Sequence, residues 1–262
     1  MVKNFINGAF CIILSSFFGT AALNDAPQAV QNYFQDPATP AMEGIIILHD
    51  YIWIFLMFIL FFVSVILIRI VFIFKEEDDK EVHADVQHVA LEAGWTTTPA
   101  IMLCCVATSS MGTLYSTCEF GASSLEVTVV GHQWFWVYEF MVFDKKIAIE
   151  SHMCEEEDLL VGEQRNLEVD NALVVPVETN IHFLITSVDV IHSWAIPSLA
   201  VKVDAVPGRI NEDHVFIKRP GRYYGQCSEI CGKGHAYMPI VVEAVSREDY
   251  NIYLHLLNYR NK

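Results

Sequence analysis

The sequence predicts a two-helix membrane hairpin followed by an all-β Greek-key sandwich or barrel that ends in a C-terminal helix. Three observations carry that prediction. Hydrophobic residues make up 53% of the 262 residues, above the usual apolar share of a soluble domain. Two long uncharged stretches lie within the first 118 residues. Short β-rich runs separated by turn residues fill most of the remainder.

Phe5 to Leu23 is apolar, with Lys3 ahead of it and small residues at its end, the pattern of a targeting segment over residues 1–24. An N-terminal arm is expected over 25–44. Tyr51 to Ile68 then runs for 18 uncharged, mostly apolar residues, extended by Gly44 to Leu48 and past Arg69 to Phe74. A span needs about 20 such residues, so a membrane helix is expected over about 45–74. Ala93 to Cys118 is free of charge for 26 residues but carries Thr, Ser, Gly and Pro99, which predicts a second helix over about 91–117, packed on a neighbour through its small residues. Lys75-Glu-Glu-Asp-Asp-Lys-Glu81 connects the two, so the hairpin at 45–118 returns both chain ends to one side. Lys75, Lys80 and Arg69 place the connector on the inner side and the β domain on the outer.

Strands are expected at Leu125–Val130, Gln133–Phe140, Leu167–Asp170, Leu173–Pro176, Ile181–Ser187, Val201–Val206, His214–Lys218 and Met238–Val245, with turns at Asn171, Pro207-Gly208 and Pro220-Gly221. Together they define a β domain over 119–245. Tyr250, Tyr253, Leu254 and Leu257 have helical spacing within 246–262. The net charge of −16 has a local maximum between Glu150 and Asp170, where eight acidic residues face one basic residue, Arg165. Such a field attracts a basic partner and is weakened by salt. No phosphate loop, internal repeat or basic patch is present, which argues against nucleic acid as a partner.

Chemistry concentrates in Gly225-Gln-Cys-Ser-Glu-Ile-Cys-Gly-Lys-Gly-His-Ala-Tyr-Met238, with His192 lying 35 residues before Cys227. A disulfide between Cys227 and Cys231 is one reading, which His235 and Met238 disfavour. Structural zinc is a second, but zinc histidines usually stand three to five apart, against 43 between His192 and His235. A redox dithiol normally has two intervening residues, and here there are three. Soft sulfur with imidazole suits copper, and the thioether of Met238 is a poor zinc ligand.

Beyond this donor chemistry, Gly131-His-Gln-Trp-Phe-Trp-Val-Tyr-Glu139, Asp189-Val-Ile-His-Ser-Trp-Ala-Ile-Pro-Ser198, Asp204-Ala-Val-Pro-Gly-Arg209 and Gly221-Arg-Tyr-Tyr-Gly-Gln-Cys-Ser-Glu-Ile-Cys-Gly232 closely resemble subunit 2 of cytochrome c oxidase. The resemblance extends to His49-Asp50, to Glu92-Ala-Gly-Trp-Thr-Thr-Thr-Pro99 and to the arm from Asn24 to Pro40, about residues 24 to 245 in all. It implies a cupredoxin-like barrel with a binuclear copper centre, CuA, held by His192, Cys227, Cys231, His235, Met238 and the backbone carbonyl of Glu229. It further implies electron entrance at Trp134, a magnesium ion shared with subunit 1 and held by the Glu229 side chain, proton entrance near Glu92, and docking of cytochrome c at Gln133, Asp170 and Asp189. The family passes electrons from cytochrome c to haem a of subunit 1, whose haem a3-CuB site reduces oxygen to water with proton pumping. The resemblance therefore implies a mitochondrial inner membrane location, the copper domain in the intermembrane space, and contacts with lipid and other oxidase subunits.

The chain departs from the family at several points. Val188 stands where a carboxylate is common and Phe135 where tyrosine is common; Met141 to Gln164 follows the family loosely; the second helix lacks its usual arginine near Thr108 to Tyr115; and Cys11, Cys104, Cys105, Cys118 and Cys154 match no ligand position. A membrane-tethered copper-delivery protein is the contrasting reading. Trp134, the acidic surface and the hairpin favour the oxidase subunit, and the hairpin also argues against a soluble CuA enzyme such as nitrous oxide reductase.

Overall fold

The computed structural model describes residues 23–74, 87–117 and 122–260. Most of the expected targeting segment, the charged connector, Cys11 and Cys118 lie outside those residues. The chain divides into a helical unit over Gly44–Glu119 and a β unit that takes in the arm and Phe120–Lys262.

Helix α1 spans Pro40–Ile73 and α2 spans Val89–Thr117. The first starts ahead of its apolar run because Thr39 and Pro40 make a strong start signal: Thr39 Oγ1 accepts the Met42 N–H at 3.1 Å, and proline suits the first helical position. The second is capped by His88 just ahead of it, whose Nδ1 accepts the Leu91 N–H at 3.2 Å while the Glu92 carboxylate accepts the His88 N–H at 3.2 Å. Both helices are long and apolar enough to cross a membrane. Hydroxyls of Thr96, Thr108, Thr113, Ser116 and Thr117 donate to carbonyls one turn back in α2. That is how a span rich in hydroxyls keeps its polar groups satisfied in hydrocarbon. Gly44 at the start of α1 lies close to Thr113 near the end of α2, so the helices run antiparallel.

The β unit holds eleven strands among its described residues. Strands β1 (Leu23–Asp25), β10 (Gly221–Gln226), β11 (Pro239–Val245) and β5 (Leu173–Pro176) form one sheet in the order β1-β10-β11-β5. A second sheet runs β4-β3-β2-β6-β9, from β2 (Leu125–His132), β3 (Phe135–Val142), β4 (Lys145–Ser151), β6 (Asn180–Ser187) and β9 (Asn211–Phe216). Strands β7 (His192–Ile196) and β8 (Val201–Ala205) make a ribbon of their own. Both main sheets are mixed: β1 with β10, β11 with β5 and β2 with β6 pair in parallel, because the chain passes between the sheets before it returns beside them, and the other pairs are antiparallel.

Alternation builds the core. Trp136, Tyr138, Phe140 and Val142 of β3 and Ile181, Phe183 and Ile185 of β6 point inward, while β5 and β7 are buried at every position. Tyr223, Ile240 and Val242 meet them from the opposite sheet, and helix α3 (Arg247–Arg260) adds Tyr250, Tyr253 and Leu257. Ser246 starts α3 by accepting the Asp249 N–H at 3.1 Å. The arm is fastened to this unit: Arg219 pairs with Asp25 at 2.6 Å, the Ala38 N–H donates to Ser198 O and the Lys218 N–H to Ala38 O.

One expected strand is absent. Leu167–Asp170 makes only a single bridge, Met153 to Val169, because a turn in which the Leu167 and Glu168 N–H groups donate to Gln164 O occupies its start; Glu168 points inward to Arg222 at 2.8 Å and to the Tyr224 hydroxyl at 2.6 Å.

Candidate metal centre

Two loops and one strand meet at the end of the sandwich. Strand β7 supplies His192, fully buried. The loop after β10 supplies Cys227, Glu229 and Cys231, and the turn before β11 supplies His235 and Met238. A hydrogen bond from Ser228 N to Ser193 O ties the loop to β7. Close approach demands glycine here: a Cβ on Gly131 would stand 2.9 Å from His192 Cδ2, and one on Gly234 would stand 2.4 Å from Trp134 Cδ2.

The donor atoms converge. His192, Cys227 and Cys231 place their ligand atoms within 4.8 Å of one another. Cys227 Sγ lies 4.0 Å from His192 Nδ1, 3.4 Å from Glu229 O and 3.9 Å from Cys231 Sγ. Cys231 Sγ lies 3.4 Å from His235 Nδ1 and 3.5 Å from Met238 Sδ. Both cysteines are free thiols, so the disulfide reading is not realised in this structure.

The thiols differ in acidity. Burial raises the Cys227 thiol, but hydrogen bonds from His192 and from the backbone of Glu229 and Ser193 outweigh it and bring it down to about 6. Burial and then the neighbouring Cys227 charge push Cys231 up to about 12. The pair therefore holds one proton tightly, and a bound cation resolves the conflict by letting both sulfurs ionise.

Asp189 has a role that its acidic type alone did not reveal. Its carboxylate accepts from His192 Nε2 at 2.8 Å, from Gln133 N at 2.7 Å and from Val190 N at 2.6 Å. Burial would raise its pKa, yet these partners hold it below the ordinary carboxylate value. With Nε2 engaged, His192 presents Nδ1 to the sulfurs, the orientation that a carboxylate partner gives a metal-ligating histidine. Asp189→Asn is expected to lower metal affinity about 10–100-fold, as loss of such outer partners does elsewhere. Equilibrium competition with a chelator measures this, and unchanged affinity would remove the role.

Gln133 and Trp134 are joined to the same cluster. The Gln133 amide and the half-buried Trp134 indole both donate to Cys231 O, at 2.8 and 3.2 Å. Trp136, to which sequence reasoning gave no role, donates to Met238 O at 3.3 Å and meets the His192 ring edge-on at 5.8 Å. Its inward place in the β3 alternation was the available signal. Asp170 is exposed and accepts the His152 N–H at 2.8 Å, in a stack of His132, Phe135 and His152. Val188 is exposed on the loop that carries Asp189. Glu92 belongs to the helical unit, where it caps α2.

The fold and the donor set define a class: a cupredoxin-like β domain attached to a pair of apolar helices, with a candidate soft-metal site at one end. Residues 125–245 match the family described as cytochrome c oxidase subunit II, periplasmic domain, and residues 27–113 match its transmembrane domain. A cytochrome c oxidase subunit 2 of Cyanidium caldarium is 47% identical over 239 residues, covering 90% of this chain and 94% of that protein. The Arabidopsis thaliana subunit is 46% identical, covering 91% and 94%. A mitochondrial subunit 2 of Vigna unguiculata is 48% identical, covering 89% and 63%. The crystal structure of the periplasmic domain of subunit II of the Bradyrhizobium japonicum cytochrome oxidase covers 54% of this chain and 99% of its own, at 36% identity and a TM-score of 0.50. The chain belongs to the cytochrome c oxidase subunit II family. It is thus one subunit of an oxidase complex and assembles with the complex's other subunits.

Proposed function

We propose that this chain accepts single electrons from cytochrome c at a binuclear CuA centre and passes them to haem a of subunit 1, which reduces oxygen to water at haem a3-CuB and pumps protons. One observation supports this reading above the rest. The donors divide into a Cys227 side, with His192 Nδ1 and Glu229 O, and a Cys231 side, with His235 Nδ1 and Met238 Sδ, and the two sulfurs stand between them. That division suits two ions better than one. Cys227 and Cys231, with His192, His235, Met238 and the Glu229 carbonyl, would hold the copper, and a centre that shared one electron over two ions would supply electron transfer with little rearrangement.

The chain's own residues do the rest. Asp189 fixes the His192 ring, and burial keeps water from the sulfurs. Trp134 links the surface to the Cys231 carbonyl, which suits electron entrance. The Glu229 side chain is half-buried and free of its carbonyl's task, consistent with a magnesium ion shared with subunit 1. Gln133, Asp170 and Asp189, with the acidic stretch Glu150 to Asp170, form a docking face for the basic cytochrome c. Glu92 stands at the start of a span, where a proton path would open. Such a chain sits in the mitochondrial inner membrane among lipids, with the copper domain in the intermembrane space.

Electron spin resonance and metal analysis on the purified oxidase test the centre. The expected signal is one electron shared over two copper nuclei in this subunit; a mononuclear signal overturns the assignment. Trp134→Phe keeps an aromatic but loses one hydrogen bond to Cys231 O. It is expected to slow electron transfer from cytochrome c roughly fivefold to tenfold, the rate equivalent of ~1 kcal/mol, with little change in binding. Stopped-flow reduction at varied cytochrome c separates the two, and unchanged transfer would remove Trp134 from the path.

A further inference from the structure

Trp136 is fully buried near the start of β3 and belongs to neither loop that supplies the donors. It stands opposite Gly131 across the β2–β3 ladder, so the two positions face the same side of the sheet. One of the pair is empty and the other full. A Cβ on Gly131 would stand 2.9 Å from His192 Cδ2, while the Trp136 ring meets the His192 ring edge-on at 5.8 Å. The imidazole therefore sits in a slot, with β2 backbone on one side, an indole on another and the Asp189 carboxylate at Nε2. The same indole reaches across to the opposite sheet. Its Nε1–H donates at 3.3 Å to the carbonyl of Met238, the residue just before β11, whose Sδ lies 3.5 Å from Cys231 Sγ. One side chain of the five-stranded sheet thus touches a residue of each donor side, His192 beside Cys227 and Met238 beside Cys231.

We infer that Trp136 is a positioning residue that holds the Met238 backbone against the Cys231 side while it walls the His192 ring, and so sets how firmly the thioether is presented to copper. The inference rests on the copper reading above. A methionine side chain turns about three bonds, so its sulfur is placed only as well as the backbone from which it hangs. The Met238 carbonyl is part of that backbone. An indole in a close-packed interior cannot back away, because such interiors have the density of molecular crystals. Its N–H therefore fixes the carbonyl in a way that a loop in water would not. An ordinary core tryptophan also finds an acceptor for its N–H, but its loss would leave the redox balance of the copper alone. Thioether sulfur favours the cuprous state. Loosening Met238 should therefore favour the oxidised centre.

The test is a redox titration of the purified oxidase, followed by the absorption and spin-resonance signals of the copper. Trp136→Phe keeps a ring beside His192 and removes the N–H. It is expected to shift the reduction equilibrium about fivefold to tenfold toward the oxidised form, which is what one lost hydrogen bond amounts to. Trp194 is as fully buried, but its indole N–H is directed to the Tyr138 hydroxyl at 3.5 Å, so Trp194→Phe should stay within about twofold of wild type. Equal shifts in the two variants, no shift in Trp136→Phe, or a shift toward the reduced form each overturn the inference. A mononuclear signal in the wild type would instead sink the copper reading, and this inference with it. Should Trp136→Phe accumulate too little oxidase, Trp136→His decides. Its smaller ring can place an N–H where the indole has one, so the equilibrium should stay within about twofold of wild type, and a larger shift refutes the role.

Discussion

Cys227→Ser is expected to abolish copper binding at the candidate centre and to cut cytochrome c oxidation by more than about 100-fold, since even an outer partner of a metal ligand is worth about 10–100-fold. The physical case rests on where the sulfur stands. Cys227 is the thiol that His192 and nearby backbone groups favour as thiolate, at about 6, and it touches donors of both sides, Glu229 O at 3.4 Å and Cys231 Sγ at 3.9 Å. A serine hydroxyl does not ionise at neutral pH and is a hard oxygen donor, poorly matched to copper. His235 and Met238 would then be left with Cys231 alone. Metal analysis and steady-state oxidation of reduced cytochrome c check this together. Retained copper with full activity would show that the second thiol suffices and would refute the bridging arrangement.

Gly225→Ala is expected to cost at least about 3 kcal/mol of stability, at the upper end of what overpacking a close-packed interior costs. The added Cβ would stand 2.0 Å from the Ala195 carbonyl oxygen and 2.9 Å from Ile196 Cγ1, and backbone cannot retreat as a flexible side chain can. Gly225 lies in β10 two residues before Cys227, and Ala195 lies in β7 three residues after His192. Relief of the clash therefore separates the two elements that supply the donors. Less of the subunit should accumulate in the complex, and the fraction that does should be short of copper. Thermal unfolding and copper content measure the two effects. Normal values for both would show that β7 and β10 can part without cost.

Much of this was legible in the chain. The two spans stand out because hydrocarbon excludes charge, and Tyr51 to Ile68 has none. Strands β2, β3, β6 and β11 carry alternating or continuous apolar runs that their burial follows. Strand β9 begins three residues ahead of the expected one because Glu212 and Asp213 hide its start, and β4 has no strand signature in the sequence because Lys145 and Lys146 open it. Edge strands and outer faces tolerate such charges, so composition hides them. Strand β1 has three residues and no pattern of its own; its pairing exists only because β10 offers an open edge. At the candidate centre the donor types were readable from spacing and chemistry. The work of Asp189 and Trp136 was not, because a hydrogen bond from residue 136 to residue 238 leaves no trace in local sequence.

The short parallel pairing of Leu23–Asp25 with Gly221–Tyr223 joins segments on either side of both membrane helices in chain order. It can therefore form only when both segments lie on one side of a membrane that the two helices cross. A chain that threads one span only, or inserts the hairpin with its first end stranded across the bilayer, leaves β1 and the Asp25 partner of Arg219 on the wrong side and the edge of β10 bare. The pairing lies on β10, the strand that leads into Cys227.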